Sequence, residues 1–333
     1  MSSNQQYSGN ALLELRDVHV AYPARRRGGS VARAVDGVQL TLQPGEIVAL
    51  VGESGCGKTT LARAILGLQQ LSKGTIQFDG ESIPTDAAGK KLFRRQVQIV
   101  FQDPTASLNP RQSVYEIVAE GLRIHGNSEN EHKIVSAALE RCGLHPAERY
   151  LLRYPHELSG GQRQRVVIAG AMVLEPRLLI ADEPVSSLDA SVRGEILKLL
   201  QDLARDKNMA VLVVTHDLGL PWNIADRIAV MYLGRIVEIG TTEDVLARPK
   251  HPYTRALLSV VHEHLQLEQQ ILKGDTPDPT SISHGCRFNP RCPMVQSGEA
   301  ERLGILQKCL NDDPVLPNKQ NNDHIAACHA LNI

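Results

Sequence analysis

The chain has 333 residues, enough for one large core with a smaller appendage. Its apolar fraction of 42% and charged fraction of 22% are ordinary for a globular protein, and 36 basic against 37 acidic residues leave a formal net charge of -1. That balance excludes a global basic field steering the chain onto nucleic acid or anionic lipid, and the longest apolar run, 166–174, falls far short of a bilayer span. The polar residues 1–10 lack a signal-peptide hydrophobic stretch, so the sequence reads as cytosolic, serving a membrane only by docking.

Along the chain, alternating patterns at 12–20 and 38–42 predict strands with one exposed face. Short, nearly all-apolar runs at 47–51, 98–101, 178–181 and 211–214 predict buried strands of a central sheet. Helical patterns lie at 59–68, 114–125, 131–142, 161–174 and 192–206, giving the alternation of an α/β domain. Two more apolar runs, 228–232 and 235–239, flank Leu233-Gly234, a hairpin or tight turn. Composition shifts after Gly240. Residues 251–258 predict a short helix and 265–272 another, while 274–285, with two prolines and two glycines, reads as a linker or irregular loop. The segment beyond it shows neither helical nor strand period. There is no internal repeat, so a composite ATPase would need a second chain.

Gly52-Glu-Ser-Gly-Cys-Gly-Lys58-Thr59-Thr60 matches G-x-x-x-x-G-K-[ST], directly after an apolar strand and before a helix. Glycines let successive backbone N–H groups turn toward phosphate oxygens, so Gly52, Ser54, Gly55, Cys56, Gly57 and Thr60 are binding candidates. The helix starting near Lys58 adds its positive dipole end. Lys58 can neutralise the β- and γ-phosphates, and Thr59 offers a hydroxyl to Mg²⁺. Further on, Leu178-Leu-Ile-Ala-Asp182-Glu183-Pro184 is an apolar strand ending in paired carboxylates. Asp182 suits the metal and Glu183 the attacking water. Alone this is a common strand terminus; downstream of a phosphate loop it points to nucleotide hydrolysis.

Leu158-Ser159-Gly160-Gly161-Gln162 resembles the signature peptide of ABC ATPases. The resemblance implies a P-loop NTPase fold: a mixed sheet core with an antiparallel β subdomain and a helical subdomain about 103–175, within an ATPase domain at 11–247. It also implies a head-to-tail dimer in which each signature caps the γ-phosphate on the other subunit's phosphate loop. By the same resemblance Tyr22 stacks on adenine, though locally it reads equally as a strand-end tyrosine. Gln102 senses Mg²⁺ and the lytic water, and 103–111 faces a transmembrane partner. Asp189, in Ser186-Ser187-Leu188-Asp189, reaches across the dimer, and His216 contacts the γ-phosphate. Gly170 stands mid-helix where relatives usually carry Arg, which implies a slightly weaker helix or a close packing contact.

Arg248-Pro-Lys-His-Pro-Tyr-Thr-Arg-Ala-Leu-Leu-Ser259, Asn109-Pro110-Arg111 and Gly285-Cys-Arg-Phe-Asn-Pro-Arg-Cys-Pro293 resemble ATPases of oligopeptide, dipeptide and nickel import systems. The resemblance implies a small irregular extension, 248–333, on an ATP-hydrolysing importer subunit at the cytoplasmic face of the inner membrane. Its partners would be two permease subunits, a second ATPase chain or a copy of itself, and indirectly an extracytoplasmic solute-binding protein, with no nucleic acid. A nickel or other small-solute importer is the nearest alternative. An ABC ATPase acting on DNA or ribosomes is further away, because no coiled coil or fused second ATPase half is present. Four of the six cysteines, Cys286, Cys292, Cys309 and Cys328, follow in the spacing C-x5-C-x16-C-x18-C. Four thiolates suit iron–sulfur or tetrahedral zinc equally by ligand type; the resemblance implies a [4Fe–4S] cluster, with Zn²⁺ as the alternative. The second gap is longer than in relatives, which makes Cys309 the weakest ligand candidate. Cys56 reads as a small filler and Cys142 as helix core.

Overall fold

The computed structural model describes residues 11–23, 31–126, 129–261, 270–274, 277–280, 282, 284–317 and 324–332. In chain order the strands and helices are β1 (Leu13–Tyr22), β2 (Ala32–Leu42), β3 (Ile47–Val51), α1 (Lys58–Ile65), β4 (Lys73–Phe78), β5 (Glu81–Ser82) and α2 (Ala87–Gln96). Then come β6 (Val97–Val100), α3 (Pro104–Ser107), α4 (Val114–Ile124), α5 (Glu131–Arg141), α6 (Gly160–Met172), β7 (Leu178–Asp182), α7 (Ala190–Lys207) and β8 (Ala210–Thr215). The last part holds β9 (Arg227–Tyr232), β10 (Arg235–Thr241), α8 (Thr242–Ala247), α9 (Pro252–Val261), α10 (Pro293–Gln296), α11 (Glu299–Arg302), α12 (Leu306–Asn311) and β11 (Ile325–Ala326). Among the described residues no helix is long and apolar enough to cross a membrane.

The chain divides into two compact units with interleaved segments. One takes the described residues through Leu12, Leu42–Ile47 and Phe78–Val214. Its sheet has β6, β7 and β8 side by side and parallel, with Val97 opposite Leu178 and Asp182 opposite Val214. Every residue of β7 and β8 is buried, which is why both read as unbroken apolar runs. Helices α4 and α5 both pack on α6. Two of these helices start at capping boxes: Ser113 with Glu116 for α4, and Ser159 with Gln162 for α6.

The second unit takes Leu13–Thr41, Val48–Gln77 and the chain from Thr215 onward. Here β1 lies between β2 and β4. Strand β3 runs parallel to β9, which turns back antiparallel as β10 through Leu233 and Gly234. Both turn residues have positive φ, 41° and 81°, as a two-residue hairpin requires. The chain's end returns to this sheet: β11 pairs antiparallel with β10, Glu238 opposite Ala326. The core between them buries Tyr232, Tyr253 and Phe288 with Val51, Val230 and Cys292.

The predicted strand at 47–51 coincides with β3, and the other predicted elements up to residue 258 are found with shifted ends. Strand β2 starts six residues before the predicted 38, because Arg33, Asp36 and Gly37 interrupt its apolar pattern. Helix α2 was not expected: among its ten residues only Phe93 is buried, so no apolar stripe announces it. The helix predicted at 265–272 lies mostly outside the described residues, as does part of the expected loop at 274–285.

Candidate nucleotide site and a cysteine-lined cavity

Strand β3 delivers the chain to the loop at Gly52, and α1 begins at Lys58. Gly57 is the N-cap with φ 110°, and a β-carbon there would sit 2.0 Å from the Ala34 carbonyl oxygen. A β-carbon on Gly52 would come within 2.2 Å of the Met231 oxygen. Both positions therefore exclude any side chain, for backbone approach as much as for φ. No side chain caps α1, and the positive end of its dipole faces the loop. The hairpin turn steadies the loop from outside, Gly234 N–H donating to the Cys56 carbonyl at 2.8 Å.

Lys58 is 6% exposed, and its ammonium donates to the carbonyls of Gly52 and Glu53 at 2.7 and 2.9 Å. The cation is thus held over the loop it serves. Thr59, beside it, is exposed. The Cys56 thiol is buried and pushed above its usual pKa by that burial, as expected of a filler rather than a nucleophile. Tyr22 ends β1, about a third exposed, with its hydroxyl donating to Gln69 at 3.3 Å. His216 follows the last residue of β8 and is exposed.

In the other unit, Gln102 and the pair Asp182-Glu183 stand just past or at the carboxyl ends of neighbouring parallel strands, β6 and β7, where open α/β sheets place their ligands. Asp182 is 5% exposed. Glu183 has φ 52°, a left-handed conformation that costs a residue other than glycine on the order of 1 kcal/mol. Its N–H donates to the Val214 carbonyl at 2.8 Å, and its own carbonyl accepts from the Ser186 hydroxyl at 3.1 Å. These bonds fix the turn that separates the two carboxylates. Asp189 is exposed at the N-cap of α7.

The signature residues form the tip of α6. The Ser159 hydroxyl accepts from Gln162 N–H at 3.2 Å, and the Gln162 side chain accepts from Ser159 N–H at 3.0 Å. A β-carbon on Gly161 would meet Val192 at 2.7 Å, so the second glycine is required by packing on α7. Arg163 donates to the Thr105 hydroxyl at 3.1 Å, tying this helix to the segment after Gln102. Gly170 has more room: a β-carbon there would lie 4.0 Å from the Ile117 oxygen, an ordinary contact.

Cys286, Cys292, Cys309 and Cys328 all line one cavity of about 20 Å³, with Phe288, Ile305 and His251 among its walls. Burial pushes the Cys286 thiol up to about 12 and the Cys292 thiol to about 11. Among the described residues, however, no three His, Cys, Asp or Glu side chains form a group that could hold a metal ion. The donor set has the right kind and number for a metal, without the close approach of a formed site. Cys142 is fully buried at the end of α5, pushed by burial up to about 12.

Several residues that brace the phosphate loop were not singled out from sequence. Glu53 N–H donates to the Tyr253 hydroxyl at 3.0 Å, and Arg291 makes two bonds to the Glu53 carboxylate, at 2.8 and 3.1 Å. Arg287, 5% exposed, binds Asp36, Asp313 and the Leu233 carbonyl. The only sequence signal was arginines in an otherwise apolar, cysteine-bearing stretch, where a buried cation must find a partner.

A buried parallel strand, a glycine loop closed against backbone and an uncapped helix define a P-loop nucleotide-binding α/β protein. Comparison with known proteins narrows this class. The ABC transporter family model matches residues 35–186, and that of the oligopeptide/dipeptide transporter C-terminal region matches 237–298. The oligopeptide transport ATP-binding protein AppF of Bacillus subtilis is 42% identical over 96% of this chain and 97% of its own length. The corresponding OppF of Salmonella typhimurium is 40% identical over 91% and 97%. In structure the chain resembles the ATP-binding cassette MJ0796, solved as a post-hydrolysis dimer with ADP and Pi, at 28% identity and a TM-score of 0.61 over 69% of this chain and 98% of that one. The chain belongs to the ABC transporter family as an ATP-binding subunit that hydrolyses ATP with Mg²⁺, working as a dimer with membrane permease subunits.

Proposed function

We propose that this chain powers peptide import, its ATPase dimer closing on ATP and reopening after hydrolysis. The observation that carries the peptide assignment is the joining, in one chain, of an ABC ATPase core to the oligopeptide/dipeptide-type region at 237–298. The nickel and small-solute alternatives share the ATPase and are not favoured by the relatives above. The subunit works from the cytoplasmic face of the membrane, paired with a second, non-identical ATPase chain and served by an extracytoplasmic binding protein. We take 11–247 as the ATPase domain, with its helical part at about 103–175, and 248–333 as the extension.

In this reading Lys58 and the N–H groups of 52–60 hold the phosphates, and Tyr22 stacks on the base. Thr59, Gln102 and Asp182 supply the oxygen donors that Mg²⁺ prefers. That ion, when bound, neutralises charge on the transferring phosphoryl group. Glu183 orients and polarises the attacking water, and His216 steadies the γ-phosphate. Ser159, Gly160, Gly161 and Gln162 of one subunit meet the nucleotide held by the other, with Asp189 at the dimer contact. The exposure of Ser159 at the start of α6 supports that role.

The four cysteines of the cavity are the proposed ligands of a [4Fe–4S] cluster, with Zn²⁺ as the alternative. Cys309, the weakest candidate from spacing, lines the cavity with the other three. The group would act as a structural staple of the extension. Anaerobically purified protein that is brown, with absorbance near 400 nm, supports the cluster; a colourless zinc-containing preparation decides for zinc.

The experiment for the main proposal is reconstitution with the co-purifying membrane chains. Labelled peptide should accumulate only with ATP, and Glu183→Gln should bind ATP while hydrolysing it at least about a hundredfold more slowly. Nickel uptake without peptide uptake would overturn the cargo, and near-normal hydrolysis by the variant would remove Glu183 from its role.

A further inference from the structure

Glu53 is the second residue of the phosphate loop, and its carboxylate places a negative charge beside a cradle that must accept anions. All three of its polar groups are held. Its N–H goes to Tyr253, its carbonyl accepts from Lys58, and both carboxylate oxygens are taken by Arg291. Two of those partners come from the C-terminal extension, 200 and 238 residues further along the chain.

The extension is firmly placed to do this. The Arg291 guanidinium lies 5.9 Å from the centre of the Tyr232 ring, and Tyr232 contacts Tyr253 at 4.7 Å between centroids. Phe288 touches both tyrosines, at 5.3 and 5.5 Å, and also lines the cysteine cavity. Arg291 closes a single turn, Asn289–Arg291, that leads directly into Cys292. The Asn289 side-chain amide and the Cys286 N–H both donate to the Cys309 carbonyl, at 3.2 and 3.0 Å. The segment that sets the arginine is therefore the segment that walls the cysteines.

From this geometry we infer that Arg291, assisted by Tyr253, is a positioning residue of the nucleotide site: it fixes the direction of the Glu53 carboxylate and cancels its charge, so the cysteine-bearing extension sets the affinity for ATP. The physical basis is electrostatic. A bidentate arginine pair is directional as well as charged, and an unpaired carboxylate in a partly buried loop repels phosphate with little screening. The inference rests on 52–60 being the phosphate loop.

The test uses the full purified chain and a fluorescent ATP analogue, with thermal melting alongside. Lys58→Ala should abolish measurable binding; if it does not, the reading of the loop itself fails, whatever Arg291 does. With that control in place, Arg291→Gln should weaken binding about tenfold. Adding Glu53→Gln to Arg291→Gln should restore binding to within about threefold of the original, because the stranded charge is gone. Arg291→Lys, which keeps charge but loses the fork, should fall between the two and serves if Arg291→Gln does not fold. Tyr253→Phe, lacking only the hydroxyl, should weaken binding a few-fold. The inference is overturned if Arg291→Gln binds as the unaltered chain does, if the double variant stays as weak as the single, or if Arg291→Lys is as weak as Arg291→Gln.

Discussion

Helix α1 starts behind Gly57 with no capping side chain, whereas α6 starts behind a complete box made by Ser159 and Gln162. The loop before α1 is pressed against backbone on two sides and braced by Lys58, Tyr253 and Arg291. The tip of α6 is held by its own cap, by the packing of Gly161 on Val192 and by the bond from Arg163 to Thr105. Two glycine-rich helix ends in one chain thus follow different designs. The first is a loop held in shape by partners from outside it. The second carries its own cap and leaves Ser159 exposed, which fits the proposed contact with nucleotide on another subunit.

The largest effect that can break this contrast is at Lys58. If the loop is the cradle, Lys58→Ala should lower ATP hydrolysis by the assembled transporter about a thousandfold, corresponding to roughly 4 kcal/mol of lost phosphate stabilisation. A steady-state phosphate-release assay reads this directly, and a loss under tenfold would mean that the loop is not where phosphate is bound. Lys58 is buried within the loop, so the same variant should be checked for an unchanged melting temperature.

Next in size is the support behind the cradle. Arg287 and Asp36 are a buried pair, 5% and 8% exposed at the side chain, with His19 on the other carboxylate oxygen of Asp36 at 2.8 Å. Burial alone would push the Asp36 carboxyl up, but the Arg287 hydrogen bond and charge outweigh it and hold it below the usual range. A depressed carboxylate stabilises the folded state above its unfolded pKa and loses that contribution as pH falls through the folded value. Arg287→Met should therefore cost about 3–5 kcal/mol at neutral pH, by leaving a buried charge short of its main partner. The gap should narrow below about pH 4, where Asp36 becomes neutral in the variant first. Denaturant melts across that window check it; a gap that widens in acid would overturn the assignment.

These supports explain what could and could not be read from the sequence. Strand β3 was legible to the residue because all five of its side chains are buried and apolar, and the phosphate loop because its spacing is set by phosphate geometry. Strand β4 was missed because only Ile76 and Phe78 of its six residues are buried, too short an alternation to register. The Glu53–Arg291 and Asp36–Arg287 pairs join residues 238 and 251 positions apart. No local period encodes a contact at that separation; only the fold brings these charges together. The cysteines lie between these cases. Their number suggested a common site and they do share a cavity, but spacing says nothing of how closely thiols approach.

A smaller effect sharpens the other side of the comparison. Gly161→Ala would place a methyl 2.7 Å from a methyl of Val192, and β-branched valine has little freedom to turn away. The tip of α6 should shift slightly, at a stability cost of about 1–2 kcal/mol. If that tip meets another subunit as proposed, ATP-dependent dimerisation should fall further than stability does. Size-exclusion chromatography of the Glu183→Gln background with and without ATP would show it, and a variant that dimerises normally despite the stability loss would place the nucleotide contact elsewhere on α6.

The smallest effect concerns the same helix, eight residues beyond Gln162. Gly170 was expected to mark either a slightly weaker helix or a close packing contact. A β-carbon there would stand 4.0 Å from the Ile117 oxygen, which is contact without overlap, so close approach does not require the glycine. The position is in a regular part of α6, and its φ is not in the left-handed region. Alanine should then stabilise the protein by about 0.5–1 kcal/mol through helix propensity and a less flexible unfolded chain. For a unit of this size that raises the melting temperature by roughly 1–4 °C. ATPase activity should stay the same if α6 acts only through its tip. A drop in melting temperature would instead show that α4 and α6 need the gap, making Gly170 a packing residue after all.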